Sequence, residues 1–129
     1  MLNWSFKNRP TRDFRKLQIW TNSIEQVVST YTLTKEFPHE EKFGLCSQLQ
    51  RAAVSIPSNI AEGCSRNSNI EFKRFLEISM GSAFELETQL IIANKLNYVS
   101  KERLEIELLA INELQRKINS LITKIKSDL

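Results

Sequence analysis

Apolar side chains recur at steps of three and four in four separate stretches of the chain. At about 100° per residue, that spacing keeps each set on one stripe of an α-helix. The first stripe is Phe14, Leu17, Trp20, Ile24, Val27, Val28 and Tyr31, and it should end near Phe37, because Pro38 disfavours helical geometry in the residue before it. The second is Leu45, Leu49, Ala52, Ala53, Ile56 and Ile60. Pro57 cannot donate to the Ala53 carbonyl, so a kink is expected near Ala53 to Pro57, and Gly63 is the expected left-handed terminator. The third stretch opens on Ser68 with Glu71 three residues on, the pattern of a capping box, and continues through Phe72, Phe75, Leu76, Ser79, Ala83, Leu86, Leu90 and Ala93. Gly81, Ser82 and Ala83 narrow it midway. Asn97 and Tyr98 interrupt the pattern before Ser100 caps the last stretch, which carries Leu104, Leu108, Ile111, Leu114, Ile118, Leu121, Ile122 and Ile125.

Connections of a few residues force consecutive helices antiparallel, so the predicted fold is all-α: an up-down-up-down four-helix bundle with helices at about 13–36, 41–62, 69–96 and 101–126. A basic segment, residues 1–12, precedes a bundle spanning 13–126, and 129 residues suit one such domain. Three Gly and three Pro leave little material for the many turns of a β-sandwich. No apolar run reaches the roughly 18 residues a bilayer span needs, and no apolar signal core follows the first charges, so a cytoplasmic protein without a membrane partner is expected.

The chemistry of catalysis has few seats in this sequence. His39 is the single histidine and sits in the polar connection after Pro38, where an exposed loop residue is the simplest reading. Cys46 and Cys64 lack CxxC spacing and read as small hydrophobes. A di-iron site in a bundle needs an ExxH pair on each of two helices, which one histidine cannot supply. The phosphate-cradling GxxxxGK[ST] and GxGxxG loops are absent. The expectation is a protein that is not an enzyme and takes no metal or other cofactor.

Two polar features remain. On the second helix Gln48, Arg51, Ser55, Asn59 and Glu62 fall within about 80° of one another beside the apolar face. They are either a solvated surface or an oligomer interface in which Arg51 and Glu62 pair across subunits and Asn59 fixes register. The net charge of +3 is also unevenly spread: residues 1–20 carry +4, residues 115–129 carry +3, and the middle carries −4. The candidate nucleic-acid contacts are Arg9, Arg12, Arg15, Lys16, Arg116, Lys117, Lys124 and Lys126, because such side chains neutralise phosphates and release counterions.

The stretch FPHEEKFGLCSQLQRAAVSIPSNIAEGCSR, Phe37 to Arg66, resembles the signature of the four-helix-bundle proteins encoded by intervening sequences in bacterial 23S ribosomal RNA genes. LQIW at Leu17 to Trp20 and FKRFLEISMGSAFELETQL at Phe72 to Leu90 match too, so the resemblance covers roughly residues 14–98. It implies a homopentameric ring of bundles with a central channel. It also implies similarity to the accessory variability determinant of diversity-generating retroelements, a basic pentamer that binds nucleic acid and a reverse transcriptase. The chain departs from the signature at Gln50, where a basic residue is common, and at Thr21 and Asn22 after Trp20. Five copies would carry about +15 in total. The expected function is that of a non-catalytic homo-oligomer binding RNA or DNA through its basic segments, the alternatives being a protein-interaction scaffold or a mobile-element passenger.

Overall fold

The computed structural model describes residues 12–129. Its four helices are α1 (Gln18–Thr34), α2 (Leu45–Cys64), α3 (Asn69–Lys95) and α4 (Lys101–Ser127), with short 3-10 turns at Phe14–Lys16 and His39–Glu41. Each helix packs against its two neighbours in the order α1, α2, α3, α4 and back to α1, with no close backbone approach across either diagonal, which is the up-down-up-down bundle. Among the described residues there is no strand.

Local sequence explains most boundaries. The Ser68 hydroxyl accepts from the Glu71 amide at 3.1 Å, and the Ser100 hydroxyl accepts from the Arg103 amide at 3.1 Å, so both predicted caps satisfy orphan donors. Helix α2 starts differently, because Gly44 has no side chain to cap it: Glu41 Oε1 accepts from the Leu45 amide instead. The other oxygen of Glu41 accepts from the Tyr98 hydroxyl at 2.9 Å, which ties the α1–α2 connection to the α3–α4 turn. That bond, with burial and the Glu41 and Glu40 charges, raises the Tyr98 phenol above its ordinary value.

Two sequence expectations about helix ends are corrected. Gly63 does not terminate α2 in a left-handed conformation: no glycine has a positive φ, and the helix continues to Cys64. Gly63 is small because α3 lies against it. A Cβ there would meet Phe75 Cβ at 2.8 Å and Phe72 Cδ1 at 3.1 Å. The left-handed terminator is Asn97, φ 66°, after α3: the Tyr98 amide donates to Ala93 and the Asn97 amide to Asn94, a Schellman closure. Helix α2 runs unbroken through Pro57. Helix α1 is shorter than the predicted 13–36, since Leu17 is extended between the first 3-10 turn and Gln18, and the helix stops at Thr34.

The inward faces of α2, α3 and α4 follow the predicted stripes, except that Phe75, Leu104, Leu108 and Leu121 are only partly buried and Gln89 and Glu107 are buried in addition. Leu49, Ile56, Ile60, Leu76, Leu86, Leu90, Ile111 and Ile118 are fully buried. The most extensive contact is α2–α3, where Ala53, Ala83 and Gly63 bring the axes together and Ser79 donates to the Ile56 carbonyl beside Pro57. Small Gly81, by contrast, faces open space.

Helix α1 is the main departure. Its buried face is Ile19, Ser23, Gln26, Thr30, Leu33 and Thr34, whereas Ile24, Val28 and Tyr31 of the expected core stripe are exposed, Val28 by 61%. Burying hydroxyls is tolerable because each bonds its own helix: Ser23 to the Trp20 carbonyl, Thr30 to Gln26, Thr34 to Tyr31. Gln26 finds its partner across the bundle in Glu107 of α4.

Candidate nucleic-acid interface

An even number of antiparallel helices brings the start of α1 and the end of α4 to the same end of the bundle. The side chains bear this out, since Lys117 Nζ donates to Asn22 Oδ1 at 3.1 Å, near the start of α1. The two basic segments, far apart in sequence, therefore converge. The α2–α3 turn lies at that end too, where Arg12 donates to the Arg66 carbonyl and to Asn69 Oδ1.

The structure divides the predicted cations by what they touch. Arg12 is committed to the fold: besides those bonds, its guanidinium lies 4.3 Å from the centre of the Phe72 ring. Arg66 sits likewise 4.7 Å from the Phe75 ring and pairs with Glu62 at 3.0 Å. Lys117 bridges Asn22 and Glu113. Arg15, Lys16, Lys124 and Lys126 are exposed at the convergent end, the latter two in the last turn of α4, where the helix dipole favours cations. Arg116 is exposed further up α4, beside Phe84 and Met80 of α3. Arg9 lies outside the described residues.

Segment-by-segment charge counting missed Arg66, Lys73 and Arg74. They belong to the acidic middle of the sequence, yet the α2–α3 turn and the start of α3 carry them to the basic end. Lys73 is paired with Glu77, and Asp13, Glu62, Glu71 and Asp128 temper the charge there. The available signal was topological: in an up-down bundle, the second turn shares its end with both termini.

The polar stripe of α2 lies along the α2–α3 seam. Ser55 and Ser82 are hydrogen-bonded at 2.8 Å, Asn59 donates to the Ser55 carbonyl and hydroxyl, and Gln89 donates to Gln48. The Glu62 carboxylate takes Arg66 of its own chain as charge partner. Arg51 is exposed, and its side chain makes no hydrogen bond or ion pair among the described residues.

Burial governs the two thiols. It raises Cys46, helped by the Glu41 charge, and pushes Cys64 up to about 11. Among the described residues no three His, Cys, Asp or Glu side chains form a metal-binding group, and no helix is long and apolar enough to cross a membrane.

Comparison with known proteins agrees with this architecture. The 23S rRNA-intervening sequence protein family matches residues 15–120. The crystal structure of a protein of unknown function from the S23 ribosomal protein family of Bacteroides thetaiotaomicron is similar, with a TM-score of 0.76 and 27% sequence identity, covering 81% of this chain and 95% of that one. No curated protein matches.

Proposed function

The chain belongs to the 23S rRNA-intervening sequence protein family, and from that premise we propose a non-catalytic, self-associating helical protein of the cytoplasm that binds RNA or DNA through the basic end of its bundle. The observation that carries this reading is the convergence of Arg15, Lys16, Lys124 and Lys126 with Arg74 at one end of the molecule. Clustered cations gain more from one polyanion than scattered ones, because each phosphate they neutralise releases condensed counterions. Repetition of that end in a homopentameric ring would multiply the effect without new contacts.

Self-association has its own support in the exposed row Ile24, Val28 and Tyr31 on α1, with Val54 one turn beyond the α1-facing Gln50 of α2. A lone exposed valine means little, whereas a row of large apolar residues along one flank is what an interface covers. The same row is the observation that favours the rival reading, a scaffold whose partner is another protein.

The deciding experiment is a salt titration of RNA binding with Lys16→Glu, Lys124→Glu and Lys126→Glu combined. Arg12 is left alone because its reversal would unseat the first turn. We expect log affinity to fall linearly with log salt, and the triple variant to lose most binding while keeping its helix content. Absence of binding by the wild-type chain at low salt would sink the nucleic-acid reading and leave the scaffold.

A further inference from the structure

The groove between α3 and α4 holds groups that neither the bundle nor the basic end uses. It measures about 520 Å³ and is lined by Met80, Phe84, Asn112, Gln115, Arg116 and Asn119. Phe84 is 54% exposed, so part of its ring is open to solvent on a helix that has a core stripe of its own. Beside it, Glu87 Oε1 accepts from the amides of both Asn112, at 3.2 Å, and Gln115, at 2.8 Å, and Asn112 also donates to Gln115. Those bonds fix the floor of the groove. The side chains of Arg116 and Asn119 make no hydrogen bond or ion pair among the described residues, so a cation and an amide stand beside the ring.

Charge gives the groove a direction. Asn112, Arg116, Asn119, Thr123 and Lys126 fall within about 80° on α4, a strip roughly 20 Å long by helical rise that leads from Phe84 to the basic end. From Asn112 to Ser127 the only carboxylate on α4 is Glu113, about 100° away from Asn112 and paired with Lys117 on the α1 side. Across the groove Glu77 is paired with Lys73, and Glu87 is engaged by the two amides.

We propose that the α3–α4 groove is a site for one unpaired nucleobase of a single-stranded nucleic acid, stacked on Phe84, with Arg116 contacting the adjoining phosphate and Asn119 the edge of the base. The inference rests on the nucleic-acid reading above and names where the strand goes after it leaves the basic end. An unpaired base is the occupant that fits, because an aromatic face, an unengaged guanidinium and an unengaged amide match the π-face, phosphate and polar edge of one nucleotide. A base inside a duplex is stacked on both faces and offers no surface to Phe84.

The test compares a short single-stranded RNA carrying a fluorescent adenine analogue with its duplex form. The wild-type chain should prefer the single strand and quench the analogue. Phe84→Ala should weaken single-strand binding about tenfold and leave duplex binding, helix content and mass unchanged, whereas Phe84→Tyr, which can still stack, should bind normally. Equal affinity of wild type and Phe84→Ala for the single strand would overturn the base site while leaving the basic end intact. So would a change of mass in Phe84→Ala, which would make Phe84 a subunit contact. Absence of wild-type binding to either RNA would remove the nucleic-acid reading and this site with it.

Discussion

Gln26 of α1 donates to Glu107 of α4 at 2.8 Å across 81 residues of sequence, and the acceptor is 3% exposed. The same carboxylate accepts from Ser29 at 2.7 Å and pairs with Arg103 at 3.0 Å, so one acidic side chain gathers an amide, a hydroxyl and a guanidinium at the seam that closes the bundle. At this seam a hydrogen-bonded polar network centred on one buried carboxylate supplements the apolar packing.

Removal of that carboxylate should therefore loosen the α1–α4 seam first. Glu107→Ala strands the buried Gln26 amide and takes the acceptor from the half-buried Ser29 hydroxyl, and should cost about 2–4 kcal/mol in urea unfolding. Arg103→Ala, whose side chain is one-third exposed, should cost less. Hydrogen exchange should locate the added opening in α1 and α4, and uniform exchange across all four helices would contradict this account.

Gly63 and Gly81 should respond in opposite ways to the same substitution. Gly63→Ala places a Cβ 2.8 Å from Phe75 Cβ, an atom fixed close to the backbone of α3, and should destabilise the chain by about 1–3 kcal/mol. Gly81→Ala meets nothing within 4 Å and should stabilise by up to about 1 kcal/mol through helix propensity. Thermal unfolding of the two variants checks the contrast.

Cys64 predicts a stability loss on the alkaline side. Burial is the main cause of its raised value, with Asp13 adding to it and Arg12 opposing it. The folded chain holds the thiol proton to about 11, whereas the unfolded chain releases it near the ordinary value of 9.0. Deprotonation thus favours the unfolded chain, so the contribution is fully present below pH 9 and shrinks as pH rises from there toward 11. Denaturant midpoints of wild type and Cys64→Ala, followed through that range, should show the steeper decline in wild type. In the native protein at about pH 8, a thiol reagent should modify Cys64 far more slowly than in the denatured chain.

The exposed row of α1 should govern mass and not folding. Val28→Asp, at a position 61% exposed, is expected to reduce any oligomer toward the monomer by light scattering while leaving helix content within the small range typical of surface changes. Arg51→Ala probes the α2 side in the same assay. A wild-type chain that is already monomeric would remove the self-association proposal at once.

The sequence by itself determined the four helices, the caps at Ser68 and Ser100, and the buried faces of α2, α3 and α4, because these follow from local hydrogen-bond chemistry and a dense apolar period. Tertiary structure decided which face of α1 turns inward. Hydroxyls of Ser23, Thr30 and Thr34 satisfy themselves on their own helix, so a polar stripe can be buried and the apolar stripe of Ile24, Val28 and Tyr31 left outside. It also decided the role of Gly63, which depends on where Phe75 lies, and the partnership of Gln26 with Glu107. The gathering of Lys16, Arg74 and Lys126 at one end, and the placing of Phe84 beside Arg116, belong to it as well. Each of these joins residues distant in the chain, and helical period records only which residues share a face, not what that face will meet.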